Sequence, residues 1–135
     1  MGAWYTIGLF VGIGAALGVA CTAVLVRLEL ALLVSAALAA ILGYAFSGWV
    51  EVVGGAVGAV LGTLGTAPIV AGTLRRGGTR GGTAAILLGA AVVIAALAFV
   101  PVLGYIEAVA IPLVGLRLRR RAPDRHAGLR TLAKD

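Results

Sequence analysis

Few residues of this 135-residue chain can hold a charge, move a proton or bind a metal: five acids, eleven bases of which ten are arginine, one histidine and one cysteine. Hydrolytic, transfer and metal chemistry draws on His, Cys, Asp, Glu, Lys and Ser within mutual reach. The long apolar segments contain no His, Lys, Asp, Asn or Gln, so an enzyme is not expected. His126 has no second histidine and stands far along the chain from Cys21, so it reads as a solvated or headgroup-facing side chain. A single cysteine excludes an internal disulfide and a cysteine metal cage. No dinucleotide fingerprint, kinase set or Gly-x-Ser-x-Gly elbow occurs, and no cofactor is expected.

What remains is the chemistry of isolated charges at the ends of apolar runs. An ionisable group deep in a membrane is costly and marks function, whereas one at the interface reaches water cheaply. Glu29 lies two residues from Arg27 and reads as a snorkelling ion pair. Glu51 and Glu107 are the candidates for a cation or proton site. Glu107 stands between Pro101 and Pro112 in an otherwise apolar segment, where a broken helix exposes carbonyls and lines a cavity. The plainer reading makes both of them acids at ordinary turns.

The arginines form two groups. Arg75-Arg76-Gly77-Gly78-Thr79-Arg80-Gly81-Gly82-Thr83 nearly doubles Arg-Gly-Gly-Thr. With Arg75, Arg76 and Arg80 and the open backbone of its glycines, this loop suits a phosphate or lipid headgroup at a helix start. Loops of this kind also simply set topology, and the Walker A lysine pattern is missing. Arg117, Arg119, Arg120 and Arg121 open a basic tail, where each charge gains about 1 kcal/mol from an anionic leaflet. Asp124 would cap a short interfacial helix there. The partners these residues imply are the bilayer and its anionic headgroups, not nucleic acid.

The elements that carry these residues follow from the spacing of charge. Between Trp4 and Leu74 only Arg27, Glu29 and Glu51 are charged, and they leave apolar runs of 23, 21 and 23 residues. At 1.5 Å per residue, about 20 apolar residues cross a hydrocarbon core of roughly 30 Å. Hydrophobic residues make up 61% and charged ones 12%, which a soluble domain of this size cannot bury. A multi-pass membrane protein is expected: an all-α transmembrane helical bundle over residues 1–116, with a basic cytoplasmic tail over 117–135. Met1 to Phe10 carries no Lys or Arg, so the first run reads as a retained span rather than a signal peptide. A lipoprotein signal at Cys21 is disfavoured by Gly18, where a large aliphatic residue is expected.

Helices are expected at about 4–26, 30–50, 52–74 and 83–100, with a short fifth at about 102–116 that is bent or interrupted at Pro112, or re-entrant in place of a crossing. Five crossings place every basic cluster on one side, as the positive-inside rule requires. The N-terminus, Glu51 and the Pro101–Glu107 corner then lie outside and the C-terminus is cytoplasmic; four crossings would break the rule. The arginine-rich, Ala- and Gly-rich composition suggests the inner membrane of a bacterium with a GC-rich genome. Trp4, Tyr5, Tyr44 and Trp49 suit interfacial belts.

Lipid is as apolar as Leu, so helices in a bilayer associate through close backbone approach. Gly54, Gly58 and Gly62 make one stripe at i, i+4 spacing, with Gly55 and Ala59 beside it. Gly8 with Gly12, and Gly14 with Gly18, add two pairs on the first span. These stripes serve packing within the bundle or self-association, and Thr63, Thr66 and Thr73 can hydrogen-bond across helices. Two functional classes follow: a compact channel or transporter for a small cation or proton, alone or as an oligomer, or a non-conducting accessory or scaffold subunit of a larger membrane complex.

Overall fold

The computed structural model describes residues 2–25, 27–46, 48–100 and 102–120. Within them the chain forms five helices: α1 (Ala3–Val24), α2 (Leu28–Phe46), α3 (Trp49–Arg75), α4 (Arg80–Leu97) and α5 (Leu103–Arg120). The first four are long and apolar enough to cross a membrane. Arg121, His126 and the tail helix expected after Asp124 lie outside the described residues.

The first connection is a hairpin. α1 stops at Val24, and Leu25 turns extended, with its N–H still bonded to the Cys21 carbonyl. The second connection turns at Gly48, whose φ of 118° is open only to glycine. α3 therefore starts at Trp49, and Glu51 falls inside its first turn rather than in the loop. Tyr44 and Trp49, both exposed, pack edge to face across this corner, with ring centroids 6.0 Å apart.

The Arg-Gly-Gly-Thr doublet closes one helix and opens the next. Gly77, at φ 85°, donates to the Leu74 carbonyl and Gly78 to the Thr73 carbonyl, the paired bonds of a Schellman stop. Thr79 then caps α4, its hydroxyl accepting from the Gly82 N–H at 3.2 Å. The second copy of the repeat is consequently helical, and α4 begins three residues earlier than Thr83. The two copies have the same residues and different conformations.

The chain breaks again between Leu97 and Leu103, around Pro101. The interruption expected at Pro112 is absent: α5 is continuous, with the proline inside it. A Cβ on Gly65 would meet the Ile111 carbonyl carbon and the Pro112 nitrogen at 2.7 Å, so α3 backs the helix directly at this point. Packing on that side holds a helix that has lost one internal hydrogen bond.

Register follows from the close approaches. Val11 lies against Gly58, Ala15 against Gly62 and Gly18 against Thr63, so α1 and α3 run parallel. Gly43 meets Glu51 and Val52, Ala39 meets Gly55, and Ser35 meets Thr63, so α2 runs antiparallel to α3. Gly104 sits on Gly8 and Gly12, and Gly115 on Gly65, which aligns α5 with α1 and α3. Val19 of α1 forms a core cluster with Leu87 and Ala91 of α4. α1 is the central helix, buried at Phe10 and Val11 and again at Ala15, Ala16 and Val19. α2 and α4 lie outside, with Leu33, Ile41, Ile86 and Val92 each more than 60% exposed.

Candidate functional site

The glycine stripes are consumed inside the chain. A Cβ at Gly58 would collide with the Val11 carbonyl oxygen and one at Gly62 with that of Ala15, while Gly14 and Gly18 press on Gly55 and Ala59. Gly54 is looser, 3.3 Å from the Val11 side chain. Gly8 and Gly12 face the other way, toward Tyr105 and Gly104 of α5. Both stripes of the third helix therefore have partners in the same chain: α1 meets both, and α2 meets Gly55 through Ala39.

A short polar seam crosses this contact. Ser35 and Thr63 are fully buried, with their hydroxyls 3.2 Å apart, and Thr63 reaches the Gly18 carbonyl at 3.4 Å. When Ser35 donates to Thr63 and Thr63 donates to Gly18, all three helices are tied. Thr63 makes the interhelical bond its position suggests, whereas Thr73 turns back on the Ile69 carbonyl of its own helix. Ser35 carried no sequence signal beyond being polar in an apolar run.

The three glutamates have different fates. Glu29 is exposed in the first turn of α2, where the positive end of the helix dipole favours it. It forms no ion pair with Arg27 within 4.0 Å. Glu51 is buried in the first turn of α3 and has the same dipole, and its Oε1 accepts a hydrogen bond from the Thr6 hydroxyl at 2.9 Å. Satisfied on both counts, it belongs to the packing of α1 against α3.

Glu107 has nothing comparable. It lies one turn into α5, and both of its carboxylate oxygens are buried without a hydrogen-bond partner. A Cβ on Gly12 would stand 3.1 Å from Oε2, 2.6 Å from the Ala98 Cβ and 3.0 Å from the Gly104 Cα. The absence of a side chain at Gly12 therefore makes the space that the carboxylate fills. Gly12 is nine residues into α1, about 13 Å along its axis. The carboxylate lies against Gly12, which itself packs on Ala98 and Gly104, and the described residues hold no group of three or more His, Cys, Asp or Glu that could bind a metal ion.

Two tyrosines fix the corner around it. Tyr105 Oη donates to the Trp4 carbonyl at 2.7 Å and Tyr5 Oη to the Phe99 carbonyl at 3.0 Å, tying the start of α1 to the α4–α5 turn. Glu51 and Glu107 are not brought into one site. Their contacts on α1, Thr6 and Gly12, are six residues and about 9 Å apart along the helix, on faces turned toward α3 and α5.

The arginines gather at the opposite end. Arg75 closes α3, Arg76 follows as its cap with its guanidinium near Gly72, and Arg80 opens α4. Arg117, Arg119 and Arg120 occupy the last turn of α5, where the negative end of the dipole suits them. Comparison with family models, with curated proteins and with solved structures finds no match for this chain.

Proposed function

We propose that this is a small multi-pass membrane protein of a bacterial inner membrane that carries a proton at Glu107, as a transporter or as the proton-handling subunit of one. Membrane insertion is supported by the four apolar helices and the exposed apolar faces of α2 and α4. Five crossings are supported by the direction of α5, parallel to α1 and α3. Its apolar part, Leu103 to Leu116, is 14 residues or about 21 Å long. That is shorter than the hydrocarbon core, and the arginines beyond it bridge the difference by snorkelling. On this topology the N-terminus is outside and the basic end cytoplasmic.

The observation that carries the reading is the pair of buried, unpartnered oxygens of Glu107. Burying a carboxylate costs several kcal/mol unless it is paired, and membrane proteins keep such groups where they act. A proton fits this surrounding better than a metal cation does. A dehydrated cation needs several oxygen ligands, and Gly12 and Ala98 offer none from their side chains; a proton needs one oxygen.

The test has two readouts. An apolar carbodiimide reacts with a protonated carboxyl in an apolar site, so mass spectrometry should find Glu107 modified and Glu29 unmodified. In liposomes with an internal pH dye, the parent should move protons under an imposed gradient, and Glu107→Gln should abolish the movement with helicity unchanged. A carbodiimide-inert Glu107 would remove the proton site. A second reading, a non-conducting accessory subunit, is favoured by the burial of both Glu107 carboxylate oxygens away from solvent. Equal flux from parent, Glu107→Gln and empty liposomes would select it.

A further inference from the structure

At the basic end, opposite Glu107, a groove of about 550 Å³ opens between the starts of α2 and α4. Its floor is Thr22 of α1 with Ala67, Val70 and Leu74 of α3; Leu28 stands on one wall and Arg80 on the other. The volume lies within the roughly 300–1,000 Å³ of small-molecule sites. The lining is apolar apart from Arg80 and two threonines, and the threonines are spent: Thr22 donates to the Gly18 carbonyl and Thr83 to that of Thr79. None of the acids Glu29, Glu51 and Glu107 lines it. Among the described residues Arg80 is thus the one charge that lines the groove, with Arg75 and Arg76 at the same end of the bundle.

An occupant must match both halves, an elongated apolar body and an anionic head. We infer that this groove holds one acyl chain of an anionic phospholipid, its phosphate held by the Arg80 guanidinium at the start of α4. The inference is independent of the Glu107 reading and concerns the other end of the molecule. A free phosphate would leave the apolar floor uncovered. A zwitterionic lipid brings the same phosphate, but sets its own cation among three arginines. The first-turn N–H groups of α4 add partial positive charge beside Arg80.

The full-length protein, delipidated in mild detergent, would be titrated with phosphatidylglycerol, phosphatidylcholine or inorganic phosphate and weighed by native mass spectrometry. One phosphatidylglycerol should bind per chain and saturate, at a concentration well below that at which phosphatidylcholine adds. Arg80→Gln should weaken it about tenfold, as loss of a charge-assisted bond does. Ala71→Phe should weaken it to a similar degree by filling the groove; Ala71 is an exposed groove residue, so the change spares the core. Arg27→Gln should leave binding unchanged. Unsaturable binding, equal binding of the two lipids, or displacement by inorganic phosphate at equal concentration would overturn the inference. So would an Ala71→Phe protein of unchanged helicity that binds as the parent does, or a second copy of the chain held where lipid should be.

Discussion

The contact between α1 and α3 makes a quantitative prediction through glycine-to-alanine substitutions at three sites. Alanine in place of glycine inside a helix is favourable by roughly 0.5–1 kcal/mol, wherever the helix is. At Gly89 nothing lies within 4 Å of the new Cβ, so Gly89→Ala should stabilise by about that amount. At Gly58 the Cβ meets the Val11 carbonyl oxygen, with the Val11 carbonyl carbon at 2.8 Å and the Ala15 nitrogen at 3.1 Å. All three are backbone atoms that cannot rotate away, so α1 and α3 must separate. Overpacking of this sort costs about 1–3 kcal/mol, and Gly58→Ala should be destabilised relative to Gly89→Ala by that difference. The intrinsic helix term cancels between the two. Gly54→Ala should fall between them, since its nearest neighbour is the Val11 Cγ2 at 3.3 Å, a side-chain atom able to shift by a few tenths of an ångström. Reversible unfolding in mixed micelles, followed by circular dichroism, gives the three values directly. Equal shifts for Gly58→Ala and Gly89→Ala would refute the α1–α3 contact and return the Gly58 stripe to lipid or to a partner chain.

Reporter fusions after Gly78 and after Asp135 should read cytoplasmic and a fusion at Gly48 external; opposite compartments for the first two would sink the five-crossing topology. Ser35→Ala and Thr63→Val should be coupled in a double-mutant cycle by about 0.6 kcal/mol, the usual size of an interhelical hydrogen bond in a membrane protein, and strictly additive effects would exclude the seam. Val102, exposed at φ 75°, holds a backbone conformation that β-branched residues avoid. Val102→Gly should raise the thermal midpoint of the bundle, by relief of about 1 kcal/mol of strain or more, and an unchanged midpoint would mean the corner is unstrained.

The helices were legible because charge is scarce: with three charged residues between Trp4 and Leu74, each run had to be about one helix long. Their ends were less so, since Thr79 and Gly77 decide where α3 stops and α4 starts, and the doubled Arg-Gly-Gly-Thr disguises which copy does so. Spacing shows that Gly54, Gly58 and Gly62 share a face; it cannot show that the face meets Val11 and Ala15, because partner choice depends on how the whole bundle closes. The acids make the same point about function. Glu51 and Glu107 look alike in sequence, each near an apolar run's edge. In the fold, Glu51 gains a helix dipole and the Thr6 hydroxyl, while Glu107, two residues further into its helix, meets Gly12 and gains neither. The difference lies in α1, through the hydroxyl at Thr6 and the missing side chain at Gly12. A polar residue placed at Gly12 would therefore erase it: Gly12→Ser, if the corner yields to the added atoms, brings a donor to the Glu107 carboxylate. Carbodiimide reactivity at Glu107 should then fall. Undiminished reactivity in a folded Gly12→Ser protein would show that the carboxylate does not face α1, and the reading of Glu107 as an unpartnered acid would go with it.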